Sequence, residues 1–194
     1  MEIGATKAVQ DRLKTTKIEE SKGASLVFCW DTHLTKIKGR NVLFIVNASN
    51  RYTIAMTDIE PRNWNYYTMY ISSVIHGVMQ EMGYSEDQIG QYFKMSGDTI
   101  VTKTHGRKSV GGINRMVMDA QYFGKKLEKE AKYQWELSEY LNRDICQPEG
   151  FDAYGYPSEL FKLDMERLGI VTKRKPAKII DFTKYIDTNR STNH

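Results

Sequence analysis

The chain has few of the residues that mark a metal-binding protein. Its 194 residues include two cysteines and four histidines. Neither Cys29 nor Cys146 has a second cysteine at C-x-x-C spacing, and the histidines are scattered, so the sequence predicts no metal ion and no cofactor. Cys29 lies in an apolar run, where we expect it to be a small buried side chain.

Two further absences concern membranes and secretion. No apolar run approaches the ~18 residues of a membrane-spanning helix. Near the N-terminus, Lys7, Asp11 and Arg12 stand where a signal peptide would need an apolar stretch. We therefore expect a cytoplasmic protein with no membrane contact. The length favours one domain over residues 1–170, followed by a basic tail over residues 171–194.

The net charge of +4 is unevenly distributed along the chain. Residues 103–126 contain six basic residues and one acid, and residues 171–194 contain six basic residues and two acids. The rest of the chain is therefore net negative. This asymmetry favours a basic surface that meets an anionic partner, although chance alone also produces such asymmetry in small domains.

Three β-rich runs, residues 26–37, 41–47 and 51–56, predict an antiparallel meander because turn-forming residues separate them. The middle run is apolar throughout, as expected of a strand covered on both faces. Residues 2–5 and 99–104 predict two further short strands. The expected fold class is α+β, with an antiparallel meander of three to five strands packed against several helices.

Elsewhere the hydrophobic period lengthens to that of helices. Pro61 starts a helix that Gly83 ends, and Ser85 with Gln88 forms the capping box of the next helix. Further helices are expected over residues 7–14, 113–143 and 157–168. The polar stretch within the second of these is either a solvated middle or a break.

The segment of residues 103–114 is basic and rich in glycine, and we expect it to lead from a strand into a helix. Glycines let a ligand approach the backbone, and a helix N-terminus offers free N–H groups, so basic side chains there favour phosphate binding. The alternative is a purely structural turn in which Ser109 caps the helix. The tail is likewise either a binding arm or a solvated terminus. The candidate binding residues are Lys103, His105, Arg107, Lys108, Asn114 and Arg115, with Lys173, Arg174 and Lys175 of the tail.

Catalytic arrangements fit the sequence poorly. A metal-dependent nuclease would use acids such as Asp58, Glu60 and Asp98, but their spacing defines no converging set of ligands. Cys29 and His33 are four residues apart on an expected strand, which separates them by roughly 13 Å and rules out a nucleophile–base pair. The sequence therefore predicts no catalytic residue and no metal ligand.

The order of several short motifs resembles a bacterial domain of unknown function, which occurs alone and as the N-terminal part of plasmid open-reading-frame-three-like proteins. The resemblance covers roughly residues 2–168. One position departs from it, because Trp30-Asp-Thr-His33 stands where that family tends to show Trp-His-Ala-Asn. The motifs that carry the resemblance are Thr6-Lys7, Trp30, Arg40, Val46-Asn47, Tyr52, Lys103-Thr104, the Arg107–Asn114 element and Tyr156-Pro157.

The resemblance implies an α+β fold and an origin in a bacterium, plasmid or phage, and it implies no activity. We expect a non-enzymatic binding or regulatory protein that contacts nucleic acid or a nucleoprotein complex through its basic surface. A protein partner, such as a host defence complex that it modulates, fits the same origin. The alternative is a metal-assisted enzyme that acts on a phosphate-containing substrate at residues 103–114. The oligomeric state is left open.

Overall fold

A computed structural model of the protein describes residues 1–14 and 18–172. Its strands are β1 (Glu2–Ala5), β2 (Cys29–Ile37), β3 (Arg40–Asn47), β4 (Thr53–Thr57) and β5 (Ile100–Thr102). Its α-helices are α1 (Lys7–Leu13), α2 (Pro61–Asn65), α3 (Tyr67–Glu81), α4 (Glu86–Ser96), α5 (Gly106–Gln121), α6 (Trp135–Asn142) and α7 (Pro157–Arg167). The expected α+β class is confirmed. No helix of these residues is both long and apolar enough to cross a membrane.

The five strands form one mixed sheet in the order β4-β3-β2-β1-β5. Strands β2, β3 and β4 pair antiparallel, as the meander predicts. Strand β1 is parallel to both of its neighbours, β2 and β5. The prediction of an antiparallel sheet was therefore wrong for this strand. The reason lies in the connections: helices separate β1 from β2 and β4 from β5, and long crossovers allow parallel pairing that no local pattern reveals.

The hairpin between β2 and β3 shows how local chemistry sets register. Lys38 and Gly39 both adopt positive φ angles, of 49° and 83°. Two successive residues of this kind form the tight turn that matches the twist of the flanking strands, with Ile37 paired to Arg40. This turn aligns the whole of β2 on β3, and thereby decides which side chains of β2 face each side of the sheet.

The two faces of the sheet carry separate cores, since successive side chains of a strand point to opposite sides. On one face, Trp30, Ile45 and Ile54 pack with side chains of α3, α4 and α7. On the other, Phe44 and Ala55 pack with side chains of α5 and α6. Strand β3 is buried on both faces, as its unbroken apolar run predicts.

Helix ends were predicted best where the capping residues are close together in sequence. The capping box of Ser85 and Gln88 is present at the start of α4. The helix expected from Pro61 is divided into α2 and α3 at Tyr66, whose φ and ψ of −114° and 44° leave the helical region. Of the two alternatives for residues 113–143, the structure has the break, because residues 122–134 leave the helical path between α5 and α6.

The glycine-rich segment differs from its expected form. Helix α5 starts at Gly106, seven residues before the predicted helix face begins at Ile113. Gly111, Gly112 and Ser109 therefore lie inside the helix, and Ser109 is not its N-cap. The residue at the N-cap position is His105, whose side chain makes no capping bond. Tail residues 173–194, including the candidates Lys173, Arg174 and Lys175, lie outside the described residues.

Candidate functional site

One end of the sheet face beneath α5 is polar, although it is buried. Glu2 of β1 pairs with Cys29 of β2, and Gly4 pairs with Asp31, so their Cα–Cβ directions share that face. The exposed fractions of Glu2, Cys29 and Asp31 are 3%, 0% and 0%. The start of α5 covers them with His105. Glu2, Cys29, Asp31, His105 and Ser109 are called the histidine centre below.

The imidazole of His105 lies between two carboxylates. Its Nδ1 is 2.7 Å from Asp31 Oδ1, and its Nε2 is 3.0 Å from Glu2 Oε2. Asp31 also accepts a hydrogen bond from the backbone N–H of His105 at 3.2 Å and another from the Ser109 hydroxyl. Its carboxylate therefore occupies the N-terminal end of α5, where the helix dipole favours a negative charge.

Protonation of the centre follows from these bonds. Burial alone would lower the pKa of His105, but hydrogen bonds to Asp31 and Cys29, with the charge of Asp31, outweigh it and raise the pKa to about 10. Burial would raise the pKa of Glu2, but hydrogen bonds from Ser21, His105 and the Lys22 backbone N–H, the last at 2.8 Å, lower it overall. At neutral pH the ring of His105 is thus protonated, and it lies between the carboxyl groups of Asp31 and Glu2.

Gly4 makes this arrangement sterically possible. Asp31 belongs to β2 and His105 follows β5, and β1 runs between those strands. The Asp31 carboxylate reaches across β1 at Gly4. A Cβ on Gly4 would overlap Asp31 Oδ1 and lie 3.0 Å from Thr104 Cα. A strand position without a side chain is therefore what lets the carboxylate reach the helix.

The surface side chains of the candidate segment lie just before α5 and along it. Lys103 pairs with Glu20, and Lys108 Nζ donates to the Pro148 carbonyl at 3.2 Å. Arg115 Nε lies 3.2 Å from Asp119. Arg107 and Asn114 are both exposed. Over residues 1–14 and 18–172 we find no hydrogen bond or ion pair of either side chain. His105 is the one candidate residue of this segment that is buried.

A groove of 260 Å³ runs beside the first turns of α5. The guanidinium of Arg51 forms part of its wall and donates to the Gly112 carbonyl at 3.0 Å. A Cβ on Gly112 would lie 3.2 Å from Arg51 Nε, so glycine lets this arginine approach the helix closely. The lining side chains, called the basic groove below, include Arg51, Lys108, Ser109, Arg115, Gln147 and Glu149.

A second groove, of 490 Å³, lies between the end of α5 and α6. Its charged side chains are largely paired with one another. Lys125 contacts Glu136 at 2.6 Å, and Arg143 contacts Glu139 at 2.8 Å. Four acids and two bases line this groove, so it carries a net negative charge and does not suit an anionic ligand.

The acids considered for a nuclease do not converge. Asp58 follows β4 and pairs with Arg40, whereas Asp98 precedes β5. Strands β4 and β5 are the two edges of the sheet, and four strand spacings place them roughly 19 Å apart. Sequence reasoning missed Glu2 and Asp31. The available signal was that Glu2 and Asp31 are the acids within β1 and β2, both of which had been predicted as strands.

These features define a class: an α+β protein whose mixed sheet carries a buried histidine–carboxylate centre beneath a basic helix. A family model described as "Domain of unknown function (DUF6933)" matches residues 2–160, and the chain belongs to that family. The matched range contains the whole sheet, the histidine centre and the basic groove. Curated proteins gave no match, and solved structures gave none either. The expected membership of a family without assigned function is thereby confirmed.

Proposed function

We propose that the protein is a non-enzymatic binding protein that contacts nucleic-acid phosphates through α5 and the basic groove. The observation that carries this proposal is the exposed face of α5, where Arg107, Lys108 and Arg115 lie within about 12 Å along the helix axis. Arg51 adds a fourth cation from the sheet side of the groove. Clustered cations of this kind bind the phosphate backbone with little dependence on base sequence.

The ligand approaches the side of α5 in this proposal, and not its N-terminal end. The end already accommodates the Asp31 carboxylate, which accepts from the His105 backbone N–H. A second anion at that position would meet a buried negative charge. Lys108 and Arg115 line the basic groove about one and three turns further on, and Glu149 is the single acid among its lining residues.

The bonds of His105 support a binding role over a hydrolytic one. A serine hydrolase needs its hydroxyl on the free ring nitrogen of a histidine that an acid orients. Here the Ser109 hydroxyl donates to Asp31, and the second ring nitrogen of His105 faces Glu2. Serine, histidine and aspartate are therefore present, but the serine hydroxyl contacts the aspartate, whereas a catalytic triad would require it to contact the histidine.

The setting we propose is a bacterium, a plasmid or a phage, on the strength of the motif order described above. In that setting a cytoplasmic protein with this surface would engage nucleic acid or a nucleoprotein complex. Modulation of a host defence complex is one such role, and a protein partner fits the same surface. Copurification of the tagged native protein identifies which of these it retains.

The direct test is fluorescence anisotropy with labelled duplex DNA and single-stranded RNA of arbitrary sequence. Wild-type affinity is expected to fall steeply with salt, because each phosphate contact releases counterions. The double change Arg107→Ala and Lys108→Ala is expected to weaken binding and to reduce the salt slope by about two. The charge-matched control is Lys94→Ala with Lys162→Ala, since both lysines are exposed and lie on α4 and α7. No binding at low salt, or equal losses in the two double variants, would contradict the proposal.

The alternative is a metal-assisted enzyme that acts on a phosphate-containing substrate at residues 103–114. Ser109 favours it, because this residue belongs to both the basic groove and the histidine centre. Turnover of nucleotides, DNA or RNA that requires an added divalent ion, and that Lys108→Ala abolishes, would establish the enzyme. Binding without turnover under the same conditions supports the non-enzymatic role.

A further inference from the structure

Three side chains of the histidine centre group around a single point. Donor atoms of Glu2, Cys29 and His105 all lie within 4.8 Å of one another. They come from β1, β2 and the loop after β5, so they are distant in the chain and adjacent in the fold. We propose that Glu2, Cys29 and His105 bind one divalent transition-metal ion of the zinc type.

The donor set and its spacing support such an ion. Zinc binds imidazole nitrogen, thiolate sulfur and carboxylate oxygen at about 2.0–2.3 Å, and two ligands of a tetrahedral ion are then roughly 3.4 Å apart. The distance from His105 Nε2 to Glu2 Oε2 is 3.0 Å, and all the donor atoms fall within the 4.8 Å limit. The 4.8 Å limit exceeds the tetrahedral spacing by about 1.4 Å, so side-chain shifts of that order or less bring the group to coordination geometry. A thiolate among the ligands selects zinc-type ions over magnesium and calcium.

Asp31 supplies an independent reason to place a metal at His105. A histidine that binds a metal through one ring nitrogen commonly donates from the other to a carboxylate, which fixes the ring. Asp31 Oδ1 lies 2.7 Å from Nδ1 of His105, which leaves Nε2 directed at Glu2. Nε2 carries a proton in the metal-free protein, and the bound ion displaces that proton to solvent. Gly4 keeps the path of that carboxylate open. Asp31 is therefore a positioning residue for the site, and not a ligand.

The location of the ligands indicates what the ion does. Each ligand belongs to a different segment, so one ion joins the first strand, the meander and the start of α5. All three ligands are buried, which excludes bulk water from the bonds. Three protein ligands leave a fourth position for a water molecule. An ion bound by these three ligands joins α5, and with it the basic groove, to the sheet.

Cobalt(II), the spectroscopic substitute for zinc, is the probe for the test, added to the full chain after its metals have been removed with a chelator. The expected result is one cobalt ion per chain, with a thiolate-to-cobalt charge-transfer band that added zinc removes. Cys29→Ser abolishes that band. Cys146→Ser is the matched control, because Cys146 is also a buried free cysteine and lies outside the group.

Asp31→Asn tests the positioning role separately. It retains the shape of the side chain, and we expect the affinity for cobalt to fall about 10–100-fold while the far-ultraviolet circular dichroism is unchanged. Glu2→Gln, which removes a ligand charge, provides a second ligand variant if Cys29→Ser fails to fold. The proposal is overturned if the wild-type chain binds no stoichiometric metal, or if the band survives in Cys29→Ser. The cobalt result does not decide the nucleic-acid proposal, because binding of nucleic acid by the wild-type chain is measured separately and no proposed ligand lines the basic groove.

Discussion

The sheet face beneath α5 and α6 has two halves that are buried alike and stabilised differently. Over β3 and β4, Phe44 and Ala55 meet apolar side chains of both helices. Over β1 and β2, Glu2 and Asp31 meet the imidazolium of His105. Dispersion and apolar burial are non-directional, so the first half tolerates changes of shape. Buried charges require their partners at specific positions, so the second half tolerates few changes.

Removal of the central cation is expected to have the largest effect. His105→Ala leaves two buried carboxylates without their shared partner. Removal of one member of a buried ion pair typically lowers the free energy of unfolding by about 3–5 kcal/mol. Ile113→Val, a change in the apolar half, is expected to cost about 0.5–1.5 kcal/mol. Urea unfolding of both variants, followed by circular dichroism, measures the difference. Equal losses would mean that the two halves do not differ as described.

The second-largest expected difference between the two halves of the sheet face is the pH dependence of their stability. The pKa of His105 is raised from 6.5 to about 10 on folding. Its contribution to stability is therefore complete below about pH 6.5 and is lost as the pH rises through about 10. The lowered pKa of Glu2 acts in the opposite direction, so its contribution is present above its ordinary value of 4.5 and is lost in acid.

We expect the wild-type free energy of unfolding, measured with a chelator present, to decline between pH 6.5 and 10. The difference in stability between wild type and His105→Ala is expected to shrink over the same range. Ile113→Val serves as the control, because its difference from wild type involves no titrating group. A constant difference for His105→Ala at every pH would show that the imidazolium does not stabilise the centre.

The glycine of β1 gives the smallest of the three expected effects. Gly4→Ala places a Cβ against Asp31 Oδ1 and near the Thr104 backbone. Overpacking of this kind costs typically 1–3 kcal/mol. Gly90→Ala is the control, because a Cβ at Gly90 in α4 meets nothing within 4 Å. It is expected to stabilise the protein by about 0.5–1 kcal/mol, since alanine is the better helix former. Thermal unfolding of the two variants should therefore shift in opposite directions.

Local chemistry was sufficient to predict several elements of the fold. The turn at Lys38 and Gly39, the apolar run of β3 and the capping box of Ser85 each depend on residues close in sequence. The start of α5 was predicted less well. Gly106, Gly111 and Gly112 indicated a loop, yet all three belong to the helix. Packing of Ile113 and Met116 against the sheet outweighs the low helix propensity of glycine.

The candidate site was predicted in its exposed part and in His105, but not in the acids that contact His105. Arg107, Lys108 and Arg115 are recognisable from charge alone, because an exposed cation needs no particular neighbour. The two acids that contact His105, Glu2 and Asp31, were missed. Each lies in a strand that had been identified, but the parallel pairing that brings β1 beside β2 depends on contacts remote in sequence.

The sequence by itself determined the α+β class, the β2–β4 meander, the cap of α4 and the basic charge of residues 103–126, because each follows from side chains within a few positions of one another. The tertiary structure decided what His105 does. In the sequence it is one histidine in a basic, glycine-rich segment; in the fold it lies between Asp31 and Glu2, 74 and 103 positions away. Bonds over such separations arise from strand order, and strand order is a property of the whole chain.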